Sequence, residues 1–260
     1  MSEVPHPNHG AMFNLELSSD DRKWLSKEHS SLKVEENLGS IVVLGSLTFE
    51  MVYEPDDDKF FVFPRDYKGK GVLIKDQYDI RILIPKTSAP DLPKVYAIGS
   101  RITDVAKQKS LPTYDLHFNF DGSACLYVVG KEKEYFPNDF DFKIFMNQLV
   151  IPFFYAQSYF QKFGEWPWGE YAHGISGMFE WYNEQENPTE SNVKQMLERL
   201  KIADDWKLIS GKFKGKNWVK GHSDCLCGSG KKMRNCHNIA LRGMWKFGND
   251  VKKHNLDQNI

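Results

Sequence analysis

Cysteine is scarce in this chain: four residues among 260, at positions 125, 225, 227 and 236. So few thiols, with no secretory pattern ahead of them, exclude a disulfide framework as the source of stability. Long apolar runs are missing as well. No stretch reaches the roughly 18 uninterrupted apolar residues that a membrane-spanning helix needs, and the most apolar one, 149–160, is short and holds Pro152. The opening residues (MSEVPHPNHGAMF) lack the basic-then-apolar order of a signal peptide. The expected location is therefore the cytoplasm, with no membrane partner. A nucleotide-binding glycine fingerprint is also absent, which excludes a chain that activates a carboxylate by itself. There is no internal repeat and no low-complexity tract.

What is present argues for a folded chain. At 41% hydrophobic and 14% aromatic residues it can bury a substantial core. The net charge of −1 conceals an asymmetry. Residues 207–260 hold 12 lysines and arginines against 3 acidic residues, while residues 1–206 hold 22 against 32. A basic tail on an acidic body suits a module that meets a polyanion or an acidic partner surface. Nucleic acid is expected, if at all, only through this tail. The alternative is that the lysines simply keep a small domain soluble.

The pattern of elements predicts an α+β fold. Residues 1–17 read as a loose lead-in. Ser18 and Ser19 can cap a helix that carries Asp20 and Asp21 in its first turn and runs to about Ser31, burying Trp24 and Leu25. Strand-like runs rich in Val, Ile, Phe and Tyr follow at 40–53, 59–64, 71–85 and 94–98, punctuated as antiparallel hairpins are. Pro85, Pro90 and Pro93 demand an extended connection. Residues 104–113 read as a polar loop. Phe142, Phe145, Leu149, Phe153, Ala156 and Phe160 then recur at helical spacing in a buried helix kinked at Pro152. A short helix is expected after the Trp/Gly-rich turn at 164–174, and another at Val193, Met196, Leu197 and Leu200, capped by Thr189 or Ser191. Residues 18–206 form the predicted body, 207–221 a Lys/Gly-rich linker and 222–260 a small C-terminal module.

That module contains HSDCLCGSGKKMRNCH, with Cys225, Cys227, Cys236 and His237 spaced as Cys-x-Cys, eight residues, Cys-His. Three thiolates and an imidazole suit tetrahedral Zn2+. Gly228, Ser229 and Gly230 allow the tight turn that lets both pairs converge. The segment resembles the SEC-C zinc motif found at the end of the SecA translocation ATPase and appended to many bacterial proteins. Leu226 replaces that motif's usual proline and Met233 a common tyrosine, neither of them a ligand. The resemblance implies a docking module. CGSGKK is not a phosphate-binding loop, because Cys225 stands where the first glycine would be and Lys232 where Ser or Thr would be.

Cys125, beside Leu126, Tyr127 and Val128, reads most simply as a buried core thiol. Its context points elsewhere: the turn-forming Asp121-Gly122-Ser123 precedes it, and His117 and Asn119 lie close by in sequence. An N-terminal helix, an antiparallel meander, a proline-rich passage (IPKTSAPDLPKV), His-x-Asn and then Gly-Ser-x-Cys-Leu resembles the order in ubiquitin-conjugating enzymes. Their His-Pro-Asn and Gly-x-x-Cys-Leu match His117, Asn119, Gly122, Cys125 and Leu126. Phe118 replaces the family proline, Asn119 lies about two residues closer to the cysteine, and Ser88-Ala89 takes the customary aromatic position. Over about 18–165 the chain is similar to the conjugating-enzyme-like proteins of bacterial cyclic-oligonucleotide antiphage operons.

The resemblance implies an acyltransferase. Cys125 would carry, as a thioester, the C-terminus of a partner such as a cGAS-like nucleotidyltransferase, and an amine would then attack. Asn119 would steady the oxyanion or the adjacent loop. His117 would orient Asn119 or Cys125, or serve only as a structural loop histidine. His173 could approach from the helical half, or act as an N-cap or packing residue. Two other readings stay open: a catalytically silent scaffold that recruits partners through the zinc tail, and a thiol hydrolase using Cys125 with His117 or His173.

Overall fold

The computed structural model describes residues 13–64, 66–88, 91–203, 206, 210–212 and 219–256. Ala89 and Pro90 of the proline-rich passage, residues 1–12 of the expected lead-in and most of the expected linker lie outside the described residues. The chain divides into two compact units, one formed by 13–127 with 132–169 and the other by 128–131 with the residues from Glu170 onward.

The larger unit opens on α1 (Ser19–Glu28), where Ser18 Oγ accepts the Asp21 N–H at 3.1 Å and the Asp21 carboxylate accepts the Ser18 N–H at 3.0 Å. This reciprocal cap satisfies two otherwise orphaned donors. Upstream, the part of the lead-in that is described is not loose. Phe13, Leu15 and Leu17 are buried in the core, because their period-two spacing turns all three inward.

Five strands form one antiparallel sheet: β1 (Leu32–Glu36), β2 (Ser40–Glu54), β3 (Lys59–Val62), β4 (Val72–Pro85) and β5 (Lys94–Ala97), in the order β1-β2-β4-β5 with β3 added beside β2. The spine is the β2–β4 pair, in register from Ser40↔Pro85 to Tyr53↔Val72. Alternation sets the two faces. Ile41, Val43, Leu47, Phe49 and Met51 of β2 and Ile74, Tyr78, Ile80, Ile82 and Ile84 of β4 point into the core. Position 45 falls on the same inward face, but a Cβ there would collide with the Ser31 carbonyl, so glycine keeps the register continuous.

The expected polar loop at 104–113 is instead largely helix, α2 (Arg101–Lys109), which buries Ile102, Val105 and Ala106. Three apolar residues at i, i+3 and i+4 are enough to seat a short helix in a polar sequence. Arg101 ties α2 to the sheet through a two-pronged contact with Asp76 (2.6 and 3.0 Å), and its guanidinium lies over the Tyr78 ring. After α3 (Glu132–Tyr135), α4 (Phe142–Phe145) and α5 (Ile151–Phe163) lie end to end, with Phe154 against Tyr78 at 4.7 Å and Tyr155 donating to the Val72 carbonyl. The kink expected at Pro152 takes the form of a π-helical turn, Met146–Val150, between α4 and α5.

His29, at the end of α1, is buried with both ring nitrogens lacking a well-formed hydrogen bond. Burial lowers its pKa below the ordinary 6.5, with Glu28 and the Thr48 backbone partly offsetting this. The unfolded chain therefore takes up the proton first. The contribution of neutral His29 to stability is complete above 6.5 and is lost as the pH falls below that value. Urea midpoints should decline from about pH 7 to pH 5, and His29→Gln should flatten the decline; equal slopes in both proteins would refute this role.

The smaller unit contains α6 (Gly174–Glu184), α7 (Glu190–Ile202), α8 (Met233–Cys236) and α9 (Asn238–Lys253). Thr189 caps α7 in a reciprocal box with Asn192. One core joins Ile175, Phe179 and Tyr182 of α6, Val193, Leu197 and Leu200 of α7, and Leu241, Met244 and Phe247 of α9. Gly243 lets α9 approach α6, since a Cβ there would fall inside the Phe179 carbonyl. The division expected at 207–221 is thus replaced by one near 169/170: the C-terminal module shares its core with α6 and α7 instead of standing apart. Among the described residues no helix is long and apolar enough to cross a membrane.

Candidate metal centre and the Cys125 hairpin

Residues 223–233 form a small hairpin. Cys225 N–H donates to the Lys231 carbonyl at 2.8 Å, Met233 N–H donates to the Ser223 carbonyl at 2.9 Å, and Asp224 bridges Lys232. Its turn places Gly228 and Gly230 at φ +74° and +72°, a conformation that favours glycine. The hairpin presents Cys225 and Cys227. α8 then returns the chain so that Cys236 and His237 face them. All four ligand atoms lie within 4.8 Å of one another. Cys227 Sγ is 3.6 Å from Cys236 Sγ, and Cys225 Sγ is 3.0 Å from His237 Nδ1. A tetrahedral ion with metal–sulfur bonds near 2.3 Å places its sulfurs about 3.8 Å apart. The cluster fits a metal ion.

The surroundings prepare the thiols unequally. Cys225 is buried beside Met233, whose Sδ is 3.7 Å away, and burial pushes its thiol up to about 12. Burial also opposes ionisation of Cys227, but hydrogen bonds from Ser229 and from the neighbouring thiols outweigh it and bring that thiol down to about 6. Ser229 Oγ also lies 3.3 Å from Cys236 Sγ. Glu180 on α6 is raised by burial, with the Ala172 N–H and the charge of His237 opposing. A cation among three sulfurs favours their thiolate forms. The sequence marked Ser229 only as a turn residue and Met233 only as a departure from the motif, and it did not mark Glu180. Ser229 and Met233 lie inside the motif, while only the packing of α6 could reveal Glu180.

In the larger unit, His117, Asn119 and Cys125 share one tight hairpin. A 3₁₀ turn, Thr113–Leu116, ends at His117 with φ +59°. Phe118 then pairs with Ala124, and Cys125 N–H donates to the His117 carbonyl at 2.7 Å. Gly122 makes the turn at φ +80°. Ser123 bridges Tyr96 of β5, and Ala124 N–H donates to the Val95 carbonyl. The hairpin is braced by a polar chain. Asn119 Nδ2 donates to Ser123 Oγ at 3.0 Å, Ser123 Oγ donates to Asp121 at 2.6 Å, and Asp121 pairs with Lys94 at 2.6 Å. Lys94, helped by Ser123, holds Asp121 down to about 2.

Cys125 itself is half-buried. Its thiol lies 3.9 Å from the Tyr127 carbonyl, and burial raises its pKa. The His117 ring packs edge-on against Trp166 at 4.9 Å. The backbone thus brings His117 and Cys125 together, while the imidazole packs on an aromatic wall. His173 is the N-cap residue of α6 in the smaller unit, with no side-chain capping bond.

No protein-family model, no curated protein and no solved structure matches this chain.

Proposed function

We propose that the larger unit is a ubiquitin-conjugating-enzyme-like acyl carrier with Cys125 as the point of attachment, and that Zn2+ at Cys225, Cys227, Cys236 and His237 makes the smaller unit a docking module. The observation that carries the reading is the placement of Cys125. It is a partly buried thiol at the end of a braced edge hairpin that also holds His117 and Asn119. A meander of antiparallel strands followed by this hairpin is the order that the sequence resemblance requires.

The chemistry needs an activated donor, an acyl thioester or acyl adenylate made by a separate enzyme. The Cys125 sulfur gives its proton to solvent and attacks the acyl carbon. A new C–S bond forms as the bond to the donor's sulfur or phosphate oxygen breaks. An amine of the acceptor then attacks the thioester, releasing the Cys125 thiol and forming an amide. Asn119 Nδ2 would have to leave Ser123 to donate to the oxyanion. The cargo in this reading is a partner's C-terminus, such as that of a cGAS-like nucleotidyltransferase in antiphage defence. A thiol hydrolase has less support, because the His117 ring is packed on Trp166. The scaffold reading draws support from the raised Cys125 pKa and from the engagement of Asn119 within the hairpin.

The two readings separate in one experiment. With donor enzyme and partner present, non-reducing gels should show a hydroxylamine-labile adduct on the wild-type chain. Cys125→Ser should give a stabler ester and Cys125→Ala no adduct, each at a stability cost of about 1 kcal/mol or less. An adduct that persists in Cys125→Ala would move the attachment away from Cys125, and partner recruitment with no adduct on any variant would leave the scaffold.

A further inference from the structure

Three departures from ordinary backbone and packing meet at one cavity of the larger unit. Phe63 follows β3 at φ +51° and is 40% exposed. A bulky side chain holds that conformation only where its surroundings enforce it, and such positions gather at ligand clamps. Asn147 and Gln148 lie in the π turn ahead of Pro152, whose missing N–H leaves a main-chain carbonyl of that turn without its helical donor. His29 sits behind them in the core, its ring 5.1 Å from Trp24 and 5.7 Å from Phe63, with both nitrogens lacking well-formed partners. Trp24, Phe63, Asn147 and Gln148 line one open pocket of about 300 Å³, which Glu28, Phe60 and Val62 complete.

The chemistry of the lining is one-sided. It offers three aromatic rings, one carboxylate and two amide side chains, and no lysine or arginine among the described lining residues. Aromatic faces are electron-rich and attract cations, most strongly when a carboxylate stands beside them. An anion would meet Glu28 and be repelled. A neutral apolar ligand would leave Glu28, Asn147 and Gln148 without partners as it displaced their water. Lys27 reaches Glu28 at 3.2 Å, but this exposed pair of adjacent residues is of the weak kind that a better-placed cation displaces. Burial lowers the pKa of His29, which disfavours a positive charge behind the rings.

We propose that this pocket binds an alkylammonium group, primary or methylated, held against the faces of Trp24, Phe60 and Phe63 and neutralised by Glu28. The amide oxygens of Asn147 and Gln148 accept its N–H bonds when it is primary and its polarised methyl groups when it is not. The group could belong to a free amine or to a lysine side chain of another protein; the recognition chemistry is the same. The site is independent of Cys125 and of the metal.

The test is a titration of the full chain with choline, with n-butylammonium, with blocked lysine amide and with 3,3-dimethylbutanol, the uncharged isostere of choline. Nitrogen-15 NMR reads the indole of Trp24 and the side-chain amides of Asn147 and Gln148. The cations should shift these signals with millimolar affinity, and the alcohol should bind at least about tenfold more weakly. Glu28→Gln, an exposed change that leaves the core alone, should weaken the cations about three- to tenfold, and Phe60→Leu should do the same. Equal binding of blocked lysine amide and butylammonium would point to a protein lysine as the source, and preference for choline to a small free cation; either supports the pocket. Equal binding of choline and its alcohol isostere would overturn the proposal. So would silence of these signals, or cation binding untouched by both substitutions.

Discussion

Removing the metal is expected to unfold the whole smaller unit, not merely its last residues. Cys225 and Met233 belong to the same core as Phe179, Leu197 and Phe247, so the hairpin that presents two of the ligands is part of the packing that holds α6, α7 and α9 together. His237, the fourth candidate ligand, is also the N-cap residue of α9. Structural zinc in small modules contributes on the order of 10 kcal/mol, comparable to the total stability of a domain this size. Freshly purified protein should carry about one zinc per chain. Chelation, or Cys225→Ser with Cys227→Ser, should abolish the ion and the amide-exchange protection of α6, α7 and α9 while β2 and β4 stay protected. Metal-free protein straight from purification would end the zinc reading. Full protection of α6 after chelation would show that the core holds without the ion.

The second large effect concerns where the chain can be cut. A chain ending at Trp206 loses Leu241, Met244, Phe247 and Val251, and with them the wall against which Ile175, Met178, Phe179 and Tyr182 are buried. Four large apolar side chains left facing water at about 1.5–3 kcal/mol each exceed what two short helices can bear. That product should be aggregation-prone and should show no cooperative transition for α6 and α7. A chain ending at Gly169 should keep the sheet unit soluble and cooperatively folded, because its core from Phe13 to Phe160 is intact. If the Trp206 product instead melts as the full chain does, α6 and α7 are supported from elsewhere.

These outcomes differ from what the sequence alone suggests, and the reason is physical. The convergence of Cys225, Cys227, Cys236 and His237 into a cluster that could hold a metal was legible because their spacing and donor chemistry are local. The β2–β4 alternation and the buried helix around Phe153 were legible because periodicity reports burial on one face. The Ser18 cap and the Thr189 cap could be read from a few residues each. The sequence could not show that Leu241 and Phe247 share a core with Phe179, since a Lys/Gly-rich stretch between two helical patterns reads the same whether those patterns pack together or not. The helix at Arg101–Lys109 was hidden for a related reason: it is seated by three modest apolar residues and by the reach of Arg101 to Asp76 across 25 positions. The turn at Asp121-Gly122-Ser123 was legible ahead of Cys125, but the hairpin that joins His117, Asn119 and Cys125 depends on the pairing of Phe118 with Ala124, and the direction of the imidazole depends on Trp166; no local pattern announces either.

The approach of α9 to α6 at Gly243 bears on how this chain could be traced through evolution. The four candidate metal ligands constrain only a short stretch and could be carried from protein to protein as a graft. Gly243 records something else, because any side chain at that position would have to push α9 off the Phe179 carbonyl. A descendant or cousin that keeps Cys225, Cys227, Cys236 and His237 but bears a larger residue in place of Gly243 would share the graft without the helix pairing. Co-inheritance of the candidate ligands and this glycine is therefore the mark by which lineages with the same α6–α9 pairing can be told from those that merely borrowed the Cys/His hairpin.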